Sequence, residues 1–307
     1  MISDDYLKYP RRRYGMDHDR YEWSILPERK SVKWPGDARI ALWVTASLQW
    51  FPLDQKGQPF KPLGSLQTAY PDLRHYTLRD YGNRVGIFRV MKALERHGIR
   101  ASAPVNAAVA VRYPSLVEEC VARGWEIAGH GFDMDHLHYE GMKEENALIT
   151  KTLEILRKHA KVRGWLSPAK SESKETLDLL AAEGIDYVCD WVNDDVPYEM
   201  RTTRGGNFFS MPHSADIDDA TILIGMHHDE DEFRDQVIDQ FDVLYKEGGR
   251  VMSISLHPWV IGQPYRIGAL EEALAHIMRH PGVWPATGEE ILDAWKAQRT
   301  AQGTARA

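Results

Sequence analysis

The 307-residue chain holds two cysteines, too few for a disulfide framework. Cys120 falls in a helical pattern and Cys189 in an apolar strand, so both read as buried free thiols. That composition points to a reducing cytoplasm. No stretch is apolar over the roughly 20 residues that a membrane span requires. The first residues, "MISDDYLKYPRRRYGMDHD", have no apolar h-region, so no secretory leader is expected. A basic excess is missing too. A formal net charge of −7 argues against non-specific binding to nucleic acid or to an anionic membrane surface. The clusters "RRR" (11–13) and "RHGIR" (96–100) are short and read as solvated faces. What remains is ordinary for a globular protein: 43% apolar and 27% charged residues, enough for one large core.

Residues 1–35 are polar and aromatic without a clear period, and read as an N-terminal extension over a body spanning 36–300. In that body strand and helix patterns alternate. "RIALWVTAS" (39–47) is an apolar, β-branched run. "YGNRVGIFRVMKALERHG" (81–98) is amphipathic and stopped by Gly98, and "YPSLVEECVARG" (113–124) is again a helix closed by glycine. Strand patterns recur at 126–131, 162–168, 186–191 and 250–256. Between them, "DEFRDQVIDQFDVLYKEGG" puts Phe233, Val237, Phe241 and Leu244 on one face. About seven such units predict an α/β fold, an irregular or incomplete (β/α) barrel with parallel strands and outer helices. No internal linker divides 36–300, so one domain is expected.

In such barrels reactive groups gather at the carboxyl ends of the strands. The segment after the first strand offers Ser47, Gln49 and Trp50. The stretch "EIAGHGFDMDHLHYEG" (126–141) delivers His130, then Asp133, Asp135, His136 and His138. The strand 162–168 brings Trp165, Ser167 and Pro168, followed by Lys170 and Glu172. Asp190 ends the next strand, with Asn193, Asp194 and Asp195 after it. The last long strand ends in His257, followed by Trp259. A single histidine at a strand end is often structural. Two at equivalent ends, with carboxylates between, point to a site. Asp194 and Asp195 read either as turn caps or as site groups. His227 and His228 read as residues preceding a helix capped by an acidic side chain.

The order of "WPGDARIALWV", "YGNRVGIFRVMKAL", "EIAGHG", "RGWLSP", "YVCDWVNDDVPY", "FDVLYKEGG" and "LHPWVIGQPYRIGALEEAL" resembles the polysaccharide deacetylase superfamily. It is most similar to the branch with metal-independent allantoinases and cyclic-imide hydrolases. The resemblance covers roughly 34–282 and implies an irregular (β/α) barrel that hydrolyses C–N bonds. It aligns His130 with the first metal histidine of the superfamily, His257 with the late histidine that acts as acid or electrostatic stabiliser, and Asp194–Asp195 with an acidic pair of the allantoinase-like branch. The departures are specific. The aspartate pair of metal-dependent members is replaced by Ser47-Leu48-Gln49-Trp50, and their second metal histidine by Met134, a poor Zn²⁺ ligand.

The leading expectation is a hydrolase of a non-peptide C–N bond in a small amide, cyclic amide or N-acyl compound. His130 and His257 form its acid–base pair, oriented by Asp190, Asp194 or Asp195. Gln49 contacts the substrate carbonyl or oxyanion, and Trp50, Trp165 and Trp259 wall the pocket. A second expectation keeps a divalent metal such as Zn²⁺ on relocated ligands, His130, His136 and His138. A third is a non-catalytic ligand-binding barrel. Whether any cofactor is held stays open between none and such a metal. A soluble metabolite is the expected substrate, and barrels of this size are expected to assemble as homo-oligomers.

Overall fold

A computed structural model describes residues 18–55, 71–203, 205 and 207–304. Of the expected extension, residues 1–17 lie outside the described residues. Residues 18–35 are tied to the body by the buried Arg20, which pairs with Asp178 at 3.1 Å, and by Trp34, whose Nε1–H donates to the Arg250 carbonyl.

The strand β1 (Ile40–Ala46), second from the β8 end of the sheet, is buried along its whole length. It runs parallel to β8 (Arg250–Leu256), in register from Ile40 against Arg250 to Ala46 against Leu256. On its other side comes β2 (Ser102–Val105), then β3 (Glu126–Gly129), β4 (Val162–Trp165) and β5 (Tyr187–Val188), all parallel. Next to β5 lies β7 (Phe208–Ser210), and antiparallel to it β6 (Tyr198–Met200). The short β9 (Val283–Pro285) pairs with the start of β1. The sheet is a curled half-barrel with helices outside, as alternating strands and amphipathic helices require. One further bridge, Asp218 to Ser255, brings the segment after β7 against β8.

The helices are α1 (Leu73–Tyr81), α2 (Ile87–Arg96), α3 (Ala107–Arg112), α4 (Pro114–Ala122), α5 (Glu145–Leu156), α6 (Thr176–Ala182), α7 (Glu230–Glu247), α8 (Ile267–Met278) and α9 (Gly288–Thr304). Phe233, Val237, Phe241 and Leu244 of α7 are buried on one face, and Asp229 caps the helix in a capping box with Glu232. His227 and His228 directly precede that cap. Both cysteines are buried free thiols, and burial pushes the Cys120 thiol up to about 12. No helix of the described residues is long and apolar enough to cross a membrane.

Two local features position the site. Between α1 and α2 the chain makes a π-helical turn, Gly82–Gly86, where the sequence pattern predicts one regular amphipathic helix. The turn lies against the segment that follows β8. A Cβ on Gly82 would sit 2.6 Å from the Trp259 nitrogen, and one on Gly86 would sit 2.0 Å from the Pro258 carbonyl oxygen. Only glycine permits that approach. The second feature is the strand at "DYVCDW": it is only Tyr187–Val188, shorter than the 186–191 pattern. Its continuation, 192–197, leaves the carboxyl end of the sheet and runs back toward the start of β8.

Candidate active site

His257 directly follows β8. Its backbone N–H donates to both carboxylate oxygens of Asp219, at 3.0 and 2.9 Å, and the Ile261 N–H donates to one of them at 3.2 Å. The ring Nδ1 lies 2.7 Å from Asp219 Oδ1 and 3.8 Å from Asp218 Oδ2. Asp219 is fully buried. Burial by itself would lower the pKa of His257, but the Asp218 and Asp219 carboxylates override it and raise the ring to about 9. His257 is therefore an imidazolium at neutral pH, with Nδ1–H donated to Asp219.

His130 follows β3 and is in the opposite state. Nδ1–H donates to the Leu166 carbonyl at 2.7 Å, which leaves Nε2 as a lone pair. That lone pair accepts from the Gln49 amide nitrogen at 3.2 Å. Burial lowers this ring to about 4, against the contribution of the Leu166 bond, so it is neutral at neutral pH. Asn106 ties three segments together here. Its side chain accepts the Trp50 N–H at 2.8 Å and donates to the His130 carbonyl.

The two histidines open onto one cavity of about 340 Å³ at the carboxyl end of the sheet. Ser47, Gln49 and Phe51 line it from the loop after β1, Met134 and Lys170 from the loops after β3 and β4, and His213 and Asp218 from the segment after β7. Trp259 and Arg79 complete the wall. The Arg79 guanidinium is stacked between the Phe51 and Trp259 rings, 4.4 and 4.1 Å from their centroids. His213 is buried and bonded through Nε2 to Thr45 Oγ1 at 3.1 Å. Burial first, then the charges of Lys170, His257 and His130, hold it well below its ordinary pKa.

Several residues singled out in the sequence lie elsewhere. Asp194 pairs with Arg29 at 2.5 Å, and the Asp195 carbonyl accepts from Val251 near the start of β8. Both therefore sit toward the amino end of the sheet, because the short β5 lets the chain turn back. Asp194 lines a larger cavity of about 600 Å³ there, with Tyr21, Trp23, Tyr198 and Trp295, and no histidine lines it. The carboxylates that orient His257 are instead Asp218 and Asp219, in "DIDDAT". Asp190 is buried, accepts from the Ser167 N–H at 2.8 Å and faces Glu172. Burial and Asp190 push the Glu172 carboxyl up to about 9, so the pair shares a proton and braces the turn after β4. Trp165 is fully buried under Gly129, and its Nε1–H donates to Ser167 at 3.1 Å. Trp50 packs against Tyr76 and Tyr113 beneath Arg112. Neither tryptophan lines the cavity; Trp259 and Gln49 do.

The histidines of "GHGFDMDHLH" diverge. His136 is half exposed and bonded to Asp133 at 2.7 Å, while His138 is buried with its Nδ1 3.4 Å from Glu145. They do not join His130 in one donor set. Among the described residues, three side-chain donors approach each other closely enough for a metal ion in two places. One is the surface group Asp242, His276 and His280, the other Asp218, Asp219 and His257. The superfamily's metal site does not fit the residues present. Its His130 faces an amide instead of a carboxylate, and Met134 stands where the second histidine would be. The Asp219–His257 pair also fits a metal poorly, since Nδ1–H and two backbone N–H groups already occupy the carboxylate.

Residues 76–188 match the polysaccharide deacetylase family model. The chain is similar to a crystal structure titled Puue allantoinase, with 27% identity and a TM-score of 0.81, covering 94% of this chain and 98% of that one. It is equally similar to a probable polysaccharide deacetylase from Pseudomonas aeruginosa PAO1, with 27% identity, a TM-score of 0.80 and the same coverage. A putative polysaccharide deacetylase of Schizosaccharomyces pombe is 26% identical over 244 residues, 71% of this chain and 75% of that protein.

In this chain the late histidine has a buried aspartate partner, whereas the first loop offers the Gln49 amide at the place where the resemblance implies carboxylates in metal-dependent members. Asp218 and Asp219 escaped the sequence reading because their segment has no strand pattern. The one available signal was an acidic pair 38 residues before "LHP", in a loop leading to a helix.

Proposed function

We propose that the protein hydrolyses a non-peptide C–N bond in a small amide, cyclic amide or N-acyl compound. The observation that carries this reading is the His257–Asp219 dyad, held as an ion pair at the mouth of a cavity that also holds Asp218, neutral His130 and Gln49. Similarity to proteins titled allantoinase and polysaccharide deacetylase supports the same reaction class.

Hydrolysis needs a base for water, donors for the tetrahedral oxyanion and an acid for the leaving nitrogen. Pairing His130 as base with His257 as acid would create a second buried cation beside the first. Asp218 avoids that. Its carboxylate takes a proton from water as the water oxygen bonds to the carbonyl carbon. Loss of that negative charge lowers the affinity of His257 for its own proton, and the Nε2–H passes to the leaving nitrogen as the C–N bond breaks. The products are a carboxylic acid and an amine or amide, and the Asp218 proton then returns to His257. The Gln49 amide is the neutral donor at the cavity wall for the oxyanion. His130, fixed by Leu166 and Gln49, holds the amide in that orientation.

The test is release of amine, ammonia or acid from a panel of ureides, cyclic imides, hydantoins and N-acetylated sugars. His257→Ala should lower turnover on any responsive compound by about 10²–10⁴-fold. Turnover that survives the substitution would remove the dyad from the reaction.

A further inference from the structure

Ala169 and Lys170 both have positive φ, 55° and 53°, in the single turn after β4. Side chains other than glycine rarely adopt that conformation, and consecutive residues in it need an external reason. Here the turn brings Lys170 to the cavity wall. Among the described residues its Nζ makes only two long contacts, 3.4 Å each, to the carbonyls of His213 and Ser214. It forms no ion pair with a carboxylate of the described residues, although burial already disfavours its charge. Asp218 and Asp219 are turned to His257, and Arg79 is stacked between two rings. The same wall holds two further buried groups with no partner among the described residues, Trp259 Nε1 and Ser47 Oγ. An ammonium at the cavity wall, backed by an indole N–H and a hydroxyl buried within that wall, complements oxygen acceptors, one of them charged.

We propose that Lys170 is the specificity-determining residue of this site and takes a carboxylate carried by the substrate, which makes the substrate class a small acidic amide or acidic cyclic amide. This rests on the hydrolase reading. A cavity of about 340 Å³ is of a size to hold one ring with a short acidic arm. The strained turn fixes the ammonium at one height in the wall, so the acidic arm sets which carbonyl reaches Asp218 and His257.

The probes are hydantoinacetate and its primary amide, which differ only in the charge of the arm. Their binding is measured by calorimetry on the full chain near neutral pH, apart from turnover. Wild type should bind the acid at least about tenfold more tightly than the amide, the discrimination of one buried charge-assisted contact. Lys170→Met should reduce that ratio to within about twofold, and Lys170→Arg should retain most of it. Binding of the neutral amide reports that the variants are folded. Equal affinity of wild type for both probes, saturable binding of neither, or a preference that persists in Lys170→Met overturns the proposal. A protein that discriminates the pair yet hydrolyses nothing in the panel keeps the Lys170 assignment and loses the hydrolase reading.

Discussion

Asp219 receives the ring N–H of His257 and two backbone N–H groups while fully buried. Replacing it with asparagine removes the charge and keeps the shape. The raised pKa of His257 then falls from about 9 toward its ordinary 6.5. In the proposed reaction the protonated ring is the working form, so activity is expected to be lost as pH rises through that value. The upper limb of the kcat/KM profile should thus move from about 9 in wild type to a clearly lower pH in Asp219→Asn. Turnover at neutral pH should drop by at least about 10²-fold. A profile that does not move would show that His257 does not titrate in the reaction. The same shift bears on stability. A folded pKa above the unfolded one stabilises below about 6.5, and the contribution is lost as pH rises through about 9. Thermal unfolding should show this slope in wild type and less of it in Asp219→Asn. At this scale the strand patterns placed His130, His257 and Gln49 at strand ends, and all three line the one cavity. The sequence disclosed Asp194 and Asp195 in place of Asp218 and Asp219. Nothing in a sequence tells which of two acidic pairs returns to a distant strand end.

The element that holds His257 in place is the glycine-faced π-turn between α1 and α2. A methyl group at Gly86 would overlap the Pro258 carbonyl, so Gly86→Ala forces apart the turn and the segment 257–262. The expected loss is about 1–3 kcal/mol, with greater loss where the backbone cannot yield. It would be read as a lower denaturation midpoint, together with reduced activity because His257 moves. Gly98→Ala offers the comparison. Its positive φ suits glycine and would strain alanine, but no atom lies within 4 Å of an added Cβ, so the substitution should cost stability without disturbing the site. The repeat of Gly82 and Gly86 within "YGNRVG" was visible in the sequence. Its meaning was not, because a close approach depends on an element some 175 residues away. The regular helices were legible for the opposite reason. The face of α7 is written locally, in Phe233, Val237, Phe241 and Leu244, and its cap in Asp229.

For the whole molecule, the curled half-barrel gathers the ends of β1, β3 and β8 and the segment after β7 around one cavity. Alternation of strands and helices announced this architecture, and the short β5 is where the topology leaves the regular pattern. In the proposed reaction the donors at the cavity act without a bound metal. Prolonged treatment with a strong chelator, checked by elemental analysis, should leave hydrolysis within about twofold of the untreated protein. Loss of activity that Zn²⁺ restores would assign Asp218, Asp219 and His257 to a metal instead. Underlying all of this is the opposed protonation of two rings that share a cavity, and ¹⁵N NMR titration of histidine-labelled protein reads it without any substrate. The His257 ring should stay doubly protonated up to about pH 9, while the His130 ring stays neutral, with Nδ1 protonated, down to about pH 4. Two rings titrating together near 6.5 would contradict it.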